Sequence, residues 1–289
     1  MIQYVYLDRV EYAEGLRLQA ELAAFVAEGR LQNVLLLLEH PPVLTLGRNA
    51  NRANVLASDE FLARRGVTLH EINRGGDVTY HGPGQLVGYP IFDLRTLSNP
   101  NGGRMGPVDF VRGIEEALIR LCAGFDVLAG RIESLTGVWC GGAGNRELGT
   151  ANEEQGTGRR SSGPERKIAA IGIHVAKGIT THGFAFNVTT NLRDFELIIP
   201  CGIPDHAVTS LVREVAHPEE LPTLEAIAHQ AGRQFGQVFD QHILAVDSLA
   251  DLRAQAAAAA PSFPAEDTPL QVPAEVQRLH SETAPTVRA

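Results

Sequence analysis

Two residues carry the clearest chemical purpose. Lys167 opens the apolar run Lys167-Ile168-Ala169-Ala170-Ile171-Gly172, and Cys201 lies in Ile198-Ile199-Pro200-Cys201-Gly202-Ile203. Proline and glycine on either side of the thiol predict a turn with close backbone approach, not the middle of a helix or strand. The thiolate is the nucleophilic form of cysteine, and a nearby cation lowers the thiol pKa. A strand-edge lysine and a cysteine on a turn are therefore the parts of a nucleophilic site. Spacing alone leaves open whether they meet, and a single cysteine is also a small buried hydrophobe. A third feature is Arg74-Gly75-Gly76-Asp77-Val78-Thr79-Tyr80-His81-Gly82-Pro83-Gly84-Gln85. Its glycines let the backbone approach a ligand, and Arg74, Tyr80 and His81 offer polar contacts. It lacks the Gly-Lys-Ser/Thr ending of a phosphate loop and the GxGxxG spacing of a dinucleotide site, and two ordinary tight turns would have the same composition.

The elements that must hold these residues read as follows. Val10–Ala27 is an amphipathic helix with Ala13, Leu16, Ala20, Ala23 and Val26 at helical intervals. Asn33–Glu39 and Val43–Arg48 read as neighbouring strands joined by a Pro41-Pro42 turn. Ser58 caps a short helix to Ala63, Val67–Ile72 is a strand, and Leu86–Leu94 is a strand buried on both faces. Gly106–Phe125 is a helix with Val108, Val111, Ile114, Leu118, Leu121 and Cys122 on one side, which makes Cys122 core filler. Val138-Trp139-Cys140 is strand-like, and Cys140 reads as structural. Lys167–Ala176 and Ile179–Val188 form a hairpin turning at Lys177-Gly178, with His174 and His182 as hydrogen-bonded structural histidines. Thr223 caps a helix carrying Leu224, Ile227, Ala228, Ala231, Phe235 and Val238. Residues 141–166 are poor in large apolar side chains and read as a long, flexible loop, and 256–289 as a disordered Ala/Pro-rich tail.

The chain has 289 residues, 44% hydrophobic and 20% charged, enough for a large core. The net charge of -9 argues against nucleic acid or an anionic membrane as the main partner. No targeting signal is read at Met1–Arg9, and the aliphatic run Val34–Leu38 is too short to span a bilayer. Cys122, Cys140 and Cys201 show neither CxxC nor finger spacing, which fits reduced thiols and a cytoplasmic location.

Several of these stretches together resemble the lipoyl(octanoyl) transferases, the LipB family. The likeness rests on Arg74 through Pro90, Lys167–Gly172, His182-Gly183-Phe184-Ala185-Phe186-Asn187-Val188 and Pro200-Cys201-Gly202-Ile203. It is joined by His40-Pro41-Pro42-Val43 with Leu46-Gly47-Arg48 and by Thr209-Ser210-Leu211, and spans residues 30–215. It implies an α/β (α+β) fold, a mixed sheet flanked by helices, like the catalytic domain of biotin and lipoate protein ligases. It implies transfer of an octanoyl group from acyl carrier protein to a lysine of lipoyl domains, those of 2-oxoacid dehydrogenase complexes and the glycine cleavage H protein. By the same resemblance Cys201 takes the acyl group as a thioester and Lys167 tunes it. Substrate binding falls to Arg74, Gly75, Gly76, Asp77, Val78, Thr79, Tyr80 and His81, to Ala170, Ile171 and Gly172, and to Gly183, Phe184 and Ala185.

That chemistry agrees with the residues. Exchange between thioesters changes the bond energy little and aminolysis is downhill, so neither ATP, a metal nor another cofactor is expected. Lys167 or His81 is the candidate to take the amine proton, and backbone N–H groups near Cys201 and Ala170–Gly172 are candidates for oxyanion stabilisation. The expected organisation is one catalytic domain over 1–255, with the insertion at 141–166 and the tail after it. Two departures from the family pattern, that insertion and the tail, bear on carrier recognition and not on the reaction. Competing readings are an ATP-dependent lipoate or biotin ligase of the same fold, a cysteine thioesterase or amidase, and a non-enzymatic acyl-binding protein.

Overall fold

A computed structural model describes residues 1–99, 102–141, 163–200 and 207–260, together with the backbone of 146–148. Its centre is a mixed sheet in the order β13-β1-β2-β6-β11-β10-β8-β7-β9. The strands are β1 (Ile2–Arg9), β2 (Asn33–Glu39), β6 (Gln85–Ile91), β7 (Ala129–Ile132), β8 (Leu135–Cys140), β9 (Arg146–Leu148), β10 (Arg166–Ala176), β11 (Ile179–Asn187) and β13 (Ile243–Ala245), with β12 (Ala207–Val208) beside the start of β10. β1 runs parallel to β2 and β13, and the path from β2 to β9 is antiparallel. A second sheet, β4-β3-β5, is built from β3 (Val43–Leu46), β4 (Thr68–Glu71) and β5 (Val78–His81).

The expected pairing of Asn33–Glu39 with Val43–Arg48 is not what forms. β2 lies between β1 and β6, whereas β3 pairs with β4 and β5 in the other sheet. Pro41 and Pro42 supply no N–H to a ladder, so the chain leaves the large sheet there and starts another.

Helices cover both faces of the large sheet, which is why β2 and β6 are buried along their whole length. On one face Leu35 and Leu37 meet α3 (Pro107–Ala123) and α5 (Leu224–Val238) through Ile114, Leu118, Ile227 and Phe235. On the other, Val34, Leu36 and Leu38 meet α1 (Tyr12–Ala27) and α6 (Leu249–Ala258). The apolar stripe expected on α1 is rotated: its buried residues are Tyr12, Gly15, Leu18, Gln19, Leu22 and Val26. Gln19 belongs inside because its Oε1 accepts from the backbone N–H of His182 at 2.7 Å. Val108 on α3, expected inside, is exposed, whereas Phe110 and Glu115 are buried.

The remaining short helices are α2 (Asp59–Arg64), capped by Ser58, and α4 (Leu211–Glu214). The hairpin turn is where it was expected. Lys177 and Gly178 both have positive φ, 50° and 82°, the pattern of a two-residue turn matched to strand twist. Two boundaries move. Arg146–Leu148, inside the segment read as loop, is an edge strand on β7. The alanine run continues as helix to Ala258 with Ala256 fully buried, so the tail does not begin at 256. Alanine is the best helix former, and this run has a core face to cover. No helix among the described residues is long and apolar enough to cross a membrane.

Candidate active site

Where the two sheets meet, a pocket of about 210 Å³ opens between β10, β11, β5, β6 and the glycine stretch after Asn73. It receives Arg74, Gly75, Gly76, Asp77, Thr79 and His81 from the glycine stretch and β5. Lys167, Ala170, Ile171 and Gly172 come from β10, and Gly183, Phe184 and Ala185 from β11. Three separate sequence segments thus converge on one cavity.

Val78 and Tyr80 do not line this pocket. Side chains alternate along a strand, so when Thr79 and His81 face the pocket, Val78 and Tyr80 face the core of the small sheet. There Val78 packs with Leu44 and Leu46, and Tyr80 Oη donates to Asp194 Oδ2 at 3.0 Å. Cys201 lies outside the described residues. Pro200, immediately before it, lines a small cavity adjoining the pocket together with Lys167, Ala170 and Asn187.

The glycines are needed for closeness. A Cβ on Gly172 would stand 2.7 Å from the carbonyl oxygen of Gly75, and one on Gly183 2.1 Å from that of Gly88. The glycine stretch is tied to β10 by Gly75 N–H donating to Ile173 O at 3.0 Å. Arg74 clamps it to the small sheet, donating to Thr45 O at 2.7 Å and Thr45 Oγ1 at 2.9 Å. Asp77 fastens the neighbouring loop by accepting from Asn51 N at 3.1 Å and from Asn54 Nδ2. β8 pairs with β10 only as far as Ala169, so beyond it the edge of β10 at Ala170–Gly172 borders the pocket.

At one end stands Lys167, buried, with Nζ 4.6 Å from the Trp139 ring centroid, a cation–π geometry. Gly137 (φ 126°) lies behind it. A Cβ there would stand 2.6 Å from the carbonyl oxygen of Ala169, so glycine is what lets β10 come this close, with the Lys167 stem beside it. The β7–β8 hairpin that carries Gly137 and Trp139 is anchored to α3 by Glu115. This buried carboxylate accepts from Gly137 N at 3.0 Å, Arg112 Nη1 at 2.8 Å and Arg131 Nε at 3.1 Å.

At the other end stands His81. Its Nδ1 is 2.8 Å from Gln85 Oε1 and its ring stacks on Tyr12, with centroids 5.9 Å apart. Burial, helped by neighbouring His40, pushes its pKa down to about 3. Burial likewise lowers His40 to about 4, against a hydrogen bond to Val10 O, and lowers His182 to about 4. The Tyr12 and Tyr89 hydroxyls are pushed up by burial. His40 Nε2 meets Tyr89 Oη at 2.7 Å. Three histidines at this end are therefore neutral at pH 7.

Some lining residues escaped the sequence reading. Tyr12 comes from the first turn of α1, Val87 and Tyr89 from β6, and Leu135 from the β7–β8 hairpin. They form apolar wall, and their types carry no signal beyond core. His182, read as structural, does line the pocket while bonding Asn73 Oδ1 at 2.7 Å.

Residues 11–236 match the family model of the lipoyl protein ligase A/B catalytic domain. The chain is 55% identical to an octanoyltransferase of Acidobacterium capsulatum, over 87% of this chain and 96% of that one. It is 45% identical to an octanoyltransferase of Koribacter versatilis, over 98% of both. Among solved structures it resembles a bipartite lipoate protein ligase from Thermoplasma acidophilum, with a TM-score of 0.59 and 15% identity, over 89% of this chain and 91% of that one. It also resembles a lipoate-protein ligase A bound with ATP, with a TM-score of 0.58 and 13% identity, over 89% and 93%. At those identities the structural likeness concerns the fold, and it is the expected one, a mixed sheet flanked by helices.

Proposed function

This chain belongs to the family of the lipoyl protein ligase A/B catalytic domain, and we propose that it transfers an octanoyl group to a lysine of a lipoyl domain in two steps through Cys201. The donor is an octanoyl thioester on acyl carrier protein, and the acceptors are lipoyl domains of 2-oxoacid dehydrogenase complexes and the glycine cleavage H protein. The observation that carries this reading is the pocket: an apolar cavity with Lys167 at one end, beside the small cavity lined by Pro200, the residue preceding Cys201.

In the first step the Cys201 thiolate attacks the donor carbonyl, a C–S bond forms, and the carrier thiol leaves. The Lys167 ammonium favours the thiolate. In the second, the acceptor amine attacks the thioester carbon. The C–S electron pair departs with Sγ, which takes the proton the amine loses. The donor arrives activated, so the reaction calls for neither ATP nor a metal. An alkyl chain in this pocket gains about 0.8 kcal/mol per buried CH₂, roughly 5 kcal/mol for the tail of an octanoyl group. The edge of β10 at Ala170–Gly172 is the candidate oxyanion site. His81 is a poor base for the amine. Moving a proton from a lysine, with pKa about 10.4, to a histidine lowered to about 3 is uphill by roughly 10 kcal/mol. Arg74 and Asp77 serve the site through the loops they fasten, and Val78 and Tyr80 by supporting the strand that presents Thr79 and His81.

Intact mass after incubation with octanoyl-acyl carrier protein tests this. One octanoyl adduct is expected on wild type, none on Cys201→Ser, with loss of the adduct when a lipoyl domain is added. No adduct, with transfer from free octanoate that requires ATP, would make it a ligase; release of octanoate to water would make it a thioesterase.

A further inference from the structure

His81 is the end of a buried hydrogen-bond chain whose polarity is fixed by two backbone carbonyls. Asn187 Nδ2 lies 2.9 Å from Thr209 O, and Gln85 Nε2 lies 3.1 Å from Tyr80 O. A carbonyl oxygen only accepts, so both contacts must be made by the amide NH₂ groups. That turns Asn187 Oδ1 toward Gln85 Nε2, at 2.9 Å, and leaves Gln85 Oε1 facing His81 Nδ1 at 2.8 Å. An acceptor at that place requires the proton on Nδ1. His81 therefore presents Nε2 as a lone pair, and among the described residues nothing bonds to it. Gln85 and Asn187 are cross-strand partners on β6 and β11 and are nearly inaccessible to solvent, so the chain has little room to reorganise. The same chain reaches the other end of the site, since Thr209 N–H donates to Lys167 O at 2.9 Å.

A pure acceptor in this position selects what can bind. An acyl chain and a thioester carbonyl have no hydrogen to offer. At the discharge step Cys201 is acylated and has no S–H, so among the reacting groups the incoming lysine amine is the one with hydrogens to donate. We infer that Gln85 and Asn187 are positioning residues that hold His81 in its Nδ1–H form, so that Nε2 receives an N–H of the acceptor amine and aims its lone pair at the thioester. This rests on the transfer reading above. It assigns His81 to orienting the amine, with the proton going to the departing Cys201 thiolate as the N–C bond forms and the C–S bond breaks.

The test separates the two steps in Gln85→Met and Asn187→Leu, which keep approximate size and remove the amide. Loading of Cys201 from octanoyl-acyl carrier protein is expected to slow far less than discharge does. Discharge to the lipoyl-domain lysine is expected to slow on the order of 10- to 100-fold in kcat, with KM for that domain little changed. Nitrogen-15 NMR of the imidazoles supplies a readout independent of turnover: His81 protonated at Nδ1 in wild type, and a tautomer mixture in Gln85→Met. Equal losses in loading and discharge, or discharge at the wild-type rate, would overturn the assignment, as would His81 protonated at Nε2 in wild type. A wild-type adduct with normal discharge in the variants removes only this inference. Absence of any wild-type adduct removes the transfer reading with it.

Discussion

The two polar ends of the pocket are built on opposite electrostatic plans. At the Lys167 end a cation is kept in a partly apolar setting by an aromatic face, with Trp139 below it and Gly137 beside its stem. At the His81 end three imidazoles are crowded together and desolvated until none of them carries charge near pH 7. A reaction with two nucleophiles in turn has use for both. Ionising a thiol calls for a positive charge. Receiving a lysine amine calls for a neutral acceptor, because a second cation there would repel the amine while it is protonated.

The sharpest way to break this contrast is to remove the charge. In Lys167→Ala, loading of Cys201 at pH 7 is expected to fall about 10- to 30-fold, because the thiol returns toward its ordinary pKa of about 8.5, where only about 3% is thiolate at pH 7. The loss should shrink as pH rises and the thiol ionises unaided. A single-turnover pH profile of adduct formation checks this. A deficit that stays constant with pH would give Lys167 a role in binding.

Next in size is the anchor behind the lysine. Glu115 joins α3 to the hairpin that carries Trp139, and Glu115→Ala leaves the buried Gly137 N–H without its acceptor and Arg131 with Glu116 as its remaining carboxylate. A stability loss of about 3 kcal/mol is expected in urea unfolding. If folding is retained at low temperature, loading should suffer more than discharge.

The two ends were unequally legible in the sequence. Lys167 stood out because an ammonium opening an apolar strand is anomalous. The Lys177-Gly178 turn then fixed the hairpin that presents Ala170–Gly172 opposite Gly183–Ala185. The His81 end was harder. His40 follows the end of β2 while His81 lies on β5 of the small sheet, and Tyr12 comes from a helix whose buried face was misjudged by one position. That error has a physical source: Gly15 and Gln19 occupy the stripe because His40 needs clearance and His182 needs an acceptor, and neither demand is local. Gln85 and Asn187 did leave a trace, as the one amide in each of their strands, at its end. Alternation along β5 also explains why a continuous glycine-rich signature does not give a continuous binding surface.

The His81 end should reveal itself through acid sensitivity. His40, His81 and His182 have folded-state pKa values of about 4, 3 and 4, below the unfolded value of about 6.5. Between those limits the unfolded chain binds more protons than the folded one, so stability falls as pH drops from about 6.5 toward 4. Each histidine contributes at most about 1.4 kcal/mol per pH unit in that window, and nothing above it. Urea unfolding at stepped pH is the measurement. His40→Gln should flatten the slope, and an unchanged slope would mean that the imidazole is charged in the folded protein.

The smallest expected effect sharpens the contrast best. Trp139→Phe keeps an aromatic face near Lys167 but a smaller and weaker one, costing about 1 kcal/mol of cation–π attraction and packing. Loading at pH 7 should slow by less than tenfold and its pH profile should change little, since the charge remains and only its placement loosens. Discharge of a preformed octanoyl adduct should be unaffected, because Trp139 faces the lysine and makes no hydrogen bond to His81, Gln85 or Asn187 among the described residues. If discharge slowed as much as loading, the two ends would be one electrostatic unit, coupled through the Thr209 hydrogen bond to Lys167 O. The division of labour between a charged end and a neutral one would then have to be abandoned.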